Sequence, residues 1–98
     1  MTMNSSTALA LLRAHKSEFS AKFDVNYLAL FGSTSRNTAS ITSDIDILVD
    51  FNGPATSKRY YGLQFFLEDL LGRPIDLVTT KALRAELRPF IEKDALRV

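Results

Sequence analysis

Apolar side chains fall at Leu9, Leu12, Phe19 and Phe23, spaced by three- and four-residue multiples. That spacing predicts an amphipathic helix capped by Ser5 or Ser6 and ending near Phe23. The pattern then changes. Val25 to Phe31 reads V-N-Y-L-A-L-F, too apolar for a strand with one wet face, and predicts a buried strand. Gly32 stops it, and Ser33 to Arg36 open a short helix. Ile45 to Phe51 forms a second strand closed by Asn52-Gly53-Pro54. Tyr60, Leu63, Leu67, Leu70 and Leu71 then make a helical stripe, which Gly72 caps and Pro74 terminates. Pro74 to Thr79 predicts a third strand. A last helix runs from about Lys81 and is interrupted at Pro89, which removes a donor and disfavours the helical state of Arg88.

Helices alternating with strands imply an α/β fold, a small sheet of three or so strands flanked by helices. The long helix between the second and third strands makes them parallel, with a right-handed crossover. With 98 residues, the chain reads as one domain spanning 1–98, since a second core would have too little surface to bury.

Composition narrows the partners. Apolar content of 46% and charged content of 23% are those of an ordinary folded domain. A net charge of +1 without a basic tail gives no pull toward nucleic acid, so no direct nucleic-acid binding is expected. Absence of cysteine excludes disulfides, thiolate zinc sites and thiol nucleophiles. No segment approaches the roughly 18 apolar residues of a membrane span. Met1 to Leu12 carries no positive charge ahead of its apolar patch, so neither membrane nor secretion is expected, and a cytoplasmic location is.

The chemistry concentrates in one block: Gly32-Ser33, ten residues, then Asp44-Ile45-Asp46. Alternation along a strand turns Asp44 and Asp46 to one side, and Ile45, Ile47, Val49 and Phe51 to the other. The two aspartates stand about 7 Å apart along the backbone at a rise of about 3.3 Å per residue. Their oxygens can converge on one hard cation, or on two about 3.5–4 Å apart. Oxygen-only ligands suit Mg²⁺ or Mn²⁺ rather than zinc. Asp76 is the only charge in the apolar stretch Ile75 to Val78 and would be costly to bury unpaired. On a neighbouring strand it completes a three-carboxylate site. Gly32 permits a tight turn and close backbone approach, and with Ser33 and the next helix start it favours an anion. Arg36, one turn on, adds a charge for a phosphate. No Walker loop occurs in the chain. Each feature also has a plain structural reading: a polar turn for Asp44 to Asp46, a common strand-to-helix turn for Gly32-Ser33, and an ion pair with Arg73 or a neighbouring lysine for Asp76.

Taken in order, L-A-L-F-G-S-T-S-R, S-D-I-D-I-L-V-D-F, L-E-D-L-L-G-R-P-I-D-L-V-T and L-R-A-E-L-R-P resemble the blocks of a known family. It is the DNA polymerase β-like nucleotidyltransferase superfamily, and within it the minimal nucleotidyltransferases (MNT). The resemblance implies a mixed-sheet α/β core and Mg²⁺-dependent transfer of AMP from ATP. It implies a triphosphate held at Gly32 and Ser33, and metal and catalytic roles for Asp44, Asp46 and Asp76. It also implies a partner, a HEPN-domain toxin, adenylylated on a tyrosine by its nucleotidyltransferase antitoxin; the sequence leaves a homo- or hetero-oligomer open. Where the family usually has Gly after Arg36, this chain has Asn37, which tolerates a left-handed backbone better than most residues.

Two other functions compete. A non-catalytic antitoxin would neutralise its toxin by stoichiometric binding, for which three aspartates are not required. A small-molecule nucleotidyltransferase would need an acceptor domain that 98 residues do not provide. Tyr60, Tyr61, Phe65 and Phe66 spread wider than one helical face, which reads as core aromatics or as a partly exposed docking patch. His15, Arg84, Arg88 and Lys93 read as solvated helix faces.

Overall fold

Helix α1 (Ser5–Ala14) is capped by Asn4, whose Oδ1 accepts the Thr7 N–H at 2.8 Å. This is seen in the computed structural model, which describes residues 4–35 and 44–98. The cap lies one residue ahead of the serines expected to supply it. The single helix expected up to Phe23 divides at His15 into α1 and α2 (Lys16–Phe23). A His15 ring nitrogen lies 3.0 Å from the Leu11 carbonyl oxygen, so this histidine marks the joint and is half-buried rather than solvated. Asp24 ends α2 in the left-handed region at φ 54°, with its carboxylate 2.8 Å from the Arg59 guanidinium.

Four strands build the sheet: β1 (Val25–Phe31), β2 (Ile45–Phe51), β3 (Ile75–Thr79) and β4 (Leu96–Arg97), in the order β3-β2-β1-β4. Helix α4 (Ser57–Leu71) joins β2 to β3, which run parallel as expected; β1 is antiparallel to both β2 and β4. The sheet is therefore mixed. Leu28, Leu30, Ile45, Ile47, Val49, Phe51, Ile75 and Leu77 share one face and pack on Ala8, Leu12, Phe19, Leu63, Leu67 and Leu71 of the helices. Burying such side chains contributes roughly 1.5–3 kcal/mol each, which makes this side the core.

The other face carries Tyr27, Ala29 and Phe31 on β1, opposite Asp50, Leu48 and Asp46 on β2. Here the C-terminal segment departs from expectation. Thr80–Ala82 form a 3₁₀ turn, and a separate helix α5 (Arg88–Asp94) begins with Pro89 in its first turn. Proline starts this helix rather than interrupting one, because its missing N–H is among the donors that have no partner at a helix start. Helix α5 contacts β1 and the short helix α3 (Gly32–Ser35), so it lies beside the second face.

Candidate functional site

Parallel pairing of β2 and β3 sets Asp46 opposite Asp76, and neighbouring strands run about 4.8 Å apart. The strand starts are aligned by the Ile45 N–H donating to the Pro74 carbonyl at 3.0 Å. Asp44, one residue ahead of β2, continues the alternation and is exposed. Asp46 is half-buried and Asp76 exposed. The exposure corrects one expectation: Asp76 faces away from the core on a strand whose apolar residues point inward, so no burial cost has to be offset. All three acids belong to one end of one sheet face.

Gly32 follows Phe31, the β1 partner of Asp46, with φ +71°, a backbone that side chains disfavour. A Cβ there would stand 2.1 Å from Asp46 Oδ2 and 3.0 Å from its Cγ. Glycine is thus required twice, by the turn and by the carboxylate beside it. The Ser35 hydroxyl donates to the Gly32 carbonyl at 2.8 Å and closes the turn. Ser33 follows in α3, while Arg36 and Asn37 fall outside the described residues.

The donor set fits a hard divalent cation. It is oxygen-only, and the space that glycine leaves is taken up by the Asp46 carboxylate. Among the described residues no three Asp, Glu, His or Cys side chains are gathered at ligation distance. Carboxylates on adjacent strands repel one another unless a cation neutralises them. The register of β2 with β3 sets Asp46 beside Asp76, and Asp44 and Asp76 are exposed.

A further device holds β3, which is an edge strand with backbone groups turned away from β2. Three polar residues of α4, four apart, bond to three of them. The Glu68 carboxylate accepts the Ile75 N–H at 3.3 Å, Gln64 donates to the Ile75 carbonyl at 3.2 Å, and the Tyr60 hydroxyl donates to the Leu77 carbonyl. These bonds flank Asp76 on both sides. Burial, then the negative charge of Asp76, then Tyr61 raise the Tyr60 pKa above its ordinary 10.0. The sequence signal for this column is the i, i+4, i+8 spacing of Tyr60, Gln64 and Glu68 beside the apolar stripe.

The four aromatics of α4 divide. Phe66 stacks edge-on with Phe19 and Phe23, and Tyr60 serves β3, whereas Tyr61 and Phe65 are 54% and 65% exposed. Among Arg84, Arg88 and Lys93, all exposed, Arg88 donates to the Thr80 carbonyl at 3.2 Å.

A model of the nucleotidyltransferase domain family matches residues 12–98. The protein adenylyltransferase MntA of Thermococcus cleftensis is 35% identical over 89 residues, which cover 91% of this chain and 90% of that protein. A solved structure described as a minimal nucleotidyltransferase superposes with a TM-score of 0.76 at 31% identity, covering 92% of this chain and 95% of that one. A chain from the complex of tri-AMPylated Shewanella oneidensis HEPN toxin with its MNT antitoxin gives a TM-score of 0.64. At 18% identity, over 92% of this chain and 70% of that one, the latter is a likeness of fold.

Proposed function

The chain belongs to the nucleotidyltransferase domain family as a minimal nucleotidyltransferase, and from that premise we propose that it is a protein adenylyltransferase acting as an antitoxin. It transfers AMP from ATP to a tyrosine of a HEPN-domain toxin and, as a user of ATP, works in the cytoplasm. The observation that carries this reading is the register of Asp46 with Asp76, with the Gly32 backbone set directly against Asp46.

Asp44, Asp46 and Asp76 would hold Mg²⁺, or Mn²⁺ in its place. When bound, the metal neutralises charge at the α-phosphate and on the departing pyrophosphate. Gly32 and Ser33, with Arg36, hold the triphosphate on the β1 side of the acids. Asp76, on the outer strand, orients the acceptor hydroxyl and takes its proton. The tyrosine oxygen forms the new bond to the α-phosphorus while the bond from that phosphorus to the α,β-bridging oxygen breaks, and pyrophosphate leaves. The protein contributes placement and charge rather than a covalent intermediate.

The test is incubation of the chain with ATP, Mg²⁺ and the HEPN-type protein encoded beside it, followed by intact-mass measurement. An added AMP on a partner tyrosine, produced by substoichiometric amounts of this chain, supports the reading. Protection of cells only at equimolar chain, with no mass change, would contradict it and leave a binding antitoxin.

A further inference from the structure

Helix α4 turns Leu63, Leu67 and Leu71 into the core and its opposite side to solvent. On that outer side stand Lys58, Tyr61, Phe65 and Asp69, all exposed. At 3.6 residues per turn they fall within about 80° of one another. Tyr61 and Phe65 are neighbours one turn apart, each with more than half of its surface in water. Large apolar side chains clustered in water mark a surface that meets another molecule.

The charges at the two ends of this stripe run against their own helix. A helix start favours an acid and a helix end a base, because unpaired N–H groups gather at one end and unpaired carbonyls at the other. Helix α4 has no acid in its first turn and no base in its last. It carries Lys58 and Arg59 at the start and Glu68 and Asp69 at the end. Two of these four are compensated within the chain: Arg59 pairs with Asp24, and Glu68 accepts the Ile75 N–H. The side chains of Lys58 and Asp69 make no ion pair or hydrogen bond with a described residue. These are the two that share the outer face with the aromatics.

A second copy of α4 laid antiparallel corrects both ends at once. The midpoint between Lys58 and Asp69 falls between Leu63 and Gln64, and that between Tyr61 and Phe65 falls at Leu63. One two-fold axis near that point brings Lys58 of each copy to Asp69 of the other and sets the aromatic pairs across from one another. A parallel pairing would set like charge against like. We propose that the outer face of α4 is where two copies of this chain associate, as an antiparallel helix pair about a two-fold axis. The positive end is reinforced by a cavity of about 550 Å³ that Lys22, Lys58 and Arg59 line with Asp24, the acid already paired. At about 150–250 Å² for a whole aromatic side chain, the exposed ring surface comes to roughly 180–300 Å² per copy. A standard interface takes about 800 Å² from each partner, so this pair forms and separates with concentration. The acids lie on the other face of the sheet, so the pairing leaves them uncovered and does not rest on the adenylyltransferase reading.

Sedimentation velocity of the full chain from about 5 µM to about 1 mM reads the association. The unsubstituted chain should pass from monomer to dimer across that range. Phe65→Asp, Lys58→Glu and Asp69→Lys should each weaken association at least about tenfold, because a two-fold interface is struck twice by every substitution. Lys58→Glu combined with Asp69→Lys restores opposite charges across the axis and should recover the original constant within about threefold. Both reversals suit the dipole of α4, the three positions are exposed, and thermal melts check folding. A dimer indifferent to Phe65→Asp, or a combined variant no better than its single parents, would overturn the pairing. So would a chain monomeric throughout; loss of HEPN-type partner binding in Phe65→Asp would then give the face to that partner instead.

Discussion

Replacing Gly32 with alanine separates what the turn requires from what the site requires. Two effects add. A left-handed backbone at φ +71° disfavours alanine by about 1–2 kcal/mol. In a domain of this size that lowers the melting temperature by roughly 4–16 °C. The new Cβ would also stand 2.1 Å from Asp46 Oδ2, so the carboxylate must retreat by about 1 Å, a displacement that can lower a rate about 10²-fold. Gly72 supplies the control. Its φ is +66°, it caps α4, and a methyl group added there would meet nothing within 4 Å, so no carboxylate has to move. Gly72→Ala should therefore melt lower by a similar amount yet transfer AMP at the normal rate below its melting temperature. Gly32→Ala should lose both stability and transfer. Melts followed by circular dichroism and single-turnover transfer assays at a temperature where both variants are folded read the two effects. A fully active Gly32→Ala, or a Gly72→Ala as inactive as Gly32→Ala while folded, would refute the reasoning.

Other outcomes follow from the same geometry. Asp76→Asn should reduce transfer by about 10²-fold or more while leaving stability within about 0.5 kcal/mol, because the side chain is exposed; a melt that loses cooperativity would mark it as structural. Chelation of divalent ions should stop transfer, and adding back Mg²⁺ or Mn²⁺ should restore it without refolding; activity that persists in chelator would contradict the oxygen-donor assignment. Tyr60→Phe should lower stability by about 0.5–1.5 kcal/mol at neutral pH, through loss of the bond to the Leu77 carbonyl. The raised Tyr60 pKa also has a signed consequence. The native state holds the phenol proton more tightly than the unfolded chain, so stability is intact below pH 10 and falls as pH rises through the raised value. Urea titrations above pH 10 should show a decline that is smaller in Tyr60→Phe.

The bounds of β1 and β2 were legible in the sequence because both are continuous apolar runs with punctuation at each end. The parallel pairing of β2 and β3 followed from the helix between them. Asp46 and Asp76 stood out as charges within apolar strands, with Asp44 just ahead of the first, and pairing brought Asp46 and Asp76 into register. What escaped has physical causes. β4 is two residues long, too short for any period, and exists because β1 offers it an edge. The break between α1 and α2 has no proline or glycine, only a histidine whose ring reaches back to the Leu11 carbonyl. Pro89 signals a helix start as well as a helix stop, and only the neighbouring backbone distinguishes them. Tyr60, Gln64 and Glu68 act on an edge whose existence depends on strand order, which local pattern does not encode.

One crystallographic measurement bears on the whole scheme: anomalous diffraction from this chain soaked with Mn²⁺ and α,β-methylene-ATP. The prediction is a manganese peak within ligation distance of Asp44, Asp46 and Asp76, with the triphosphate running from it toward the Gly32 turn. Manganese found elsewhere on the surface, or phosphates seated away from Gly32, would contradict it.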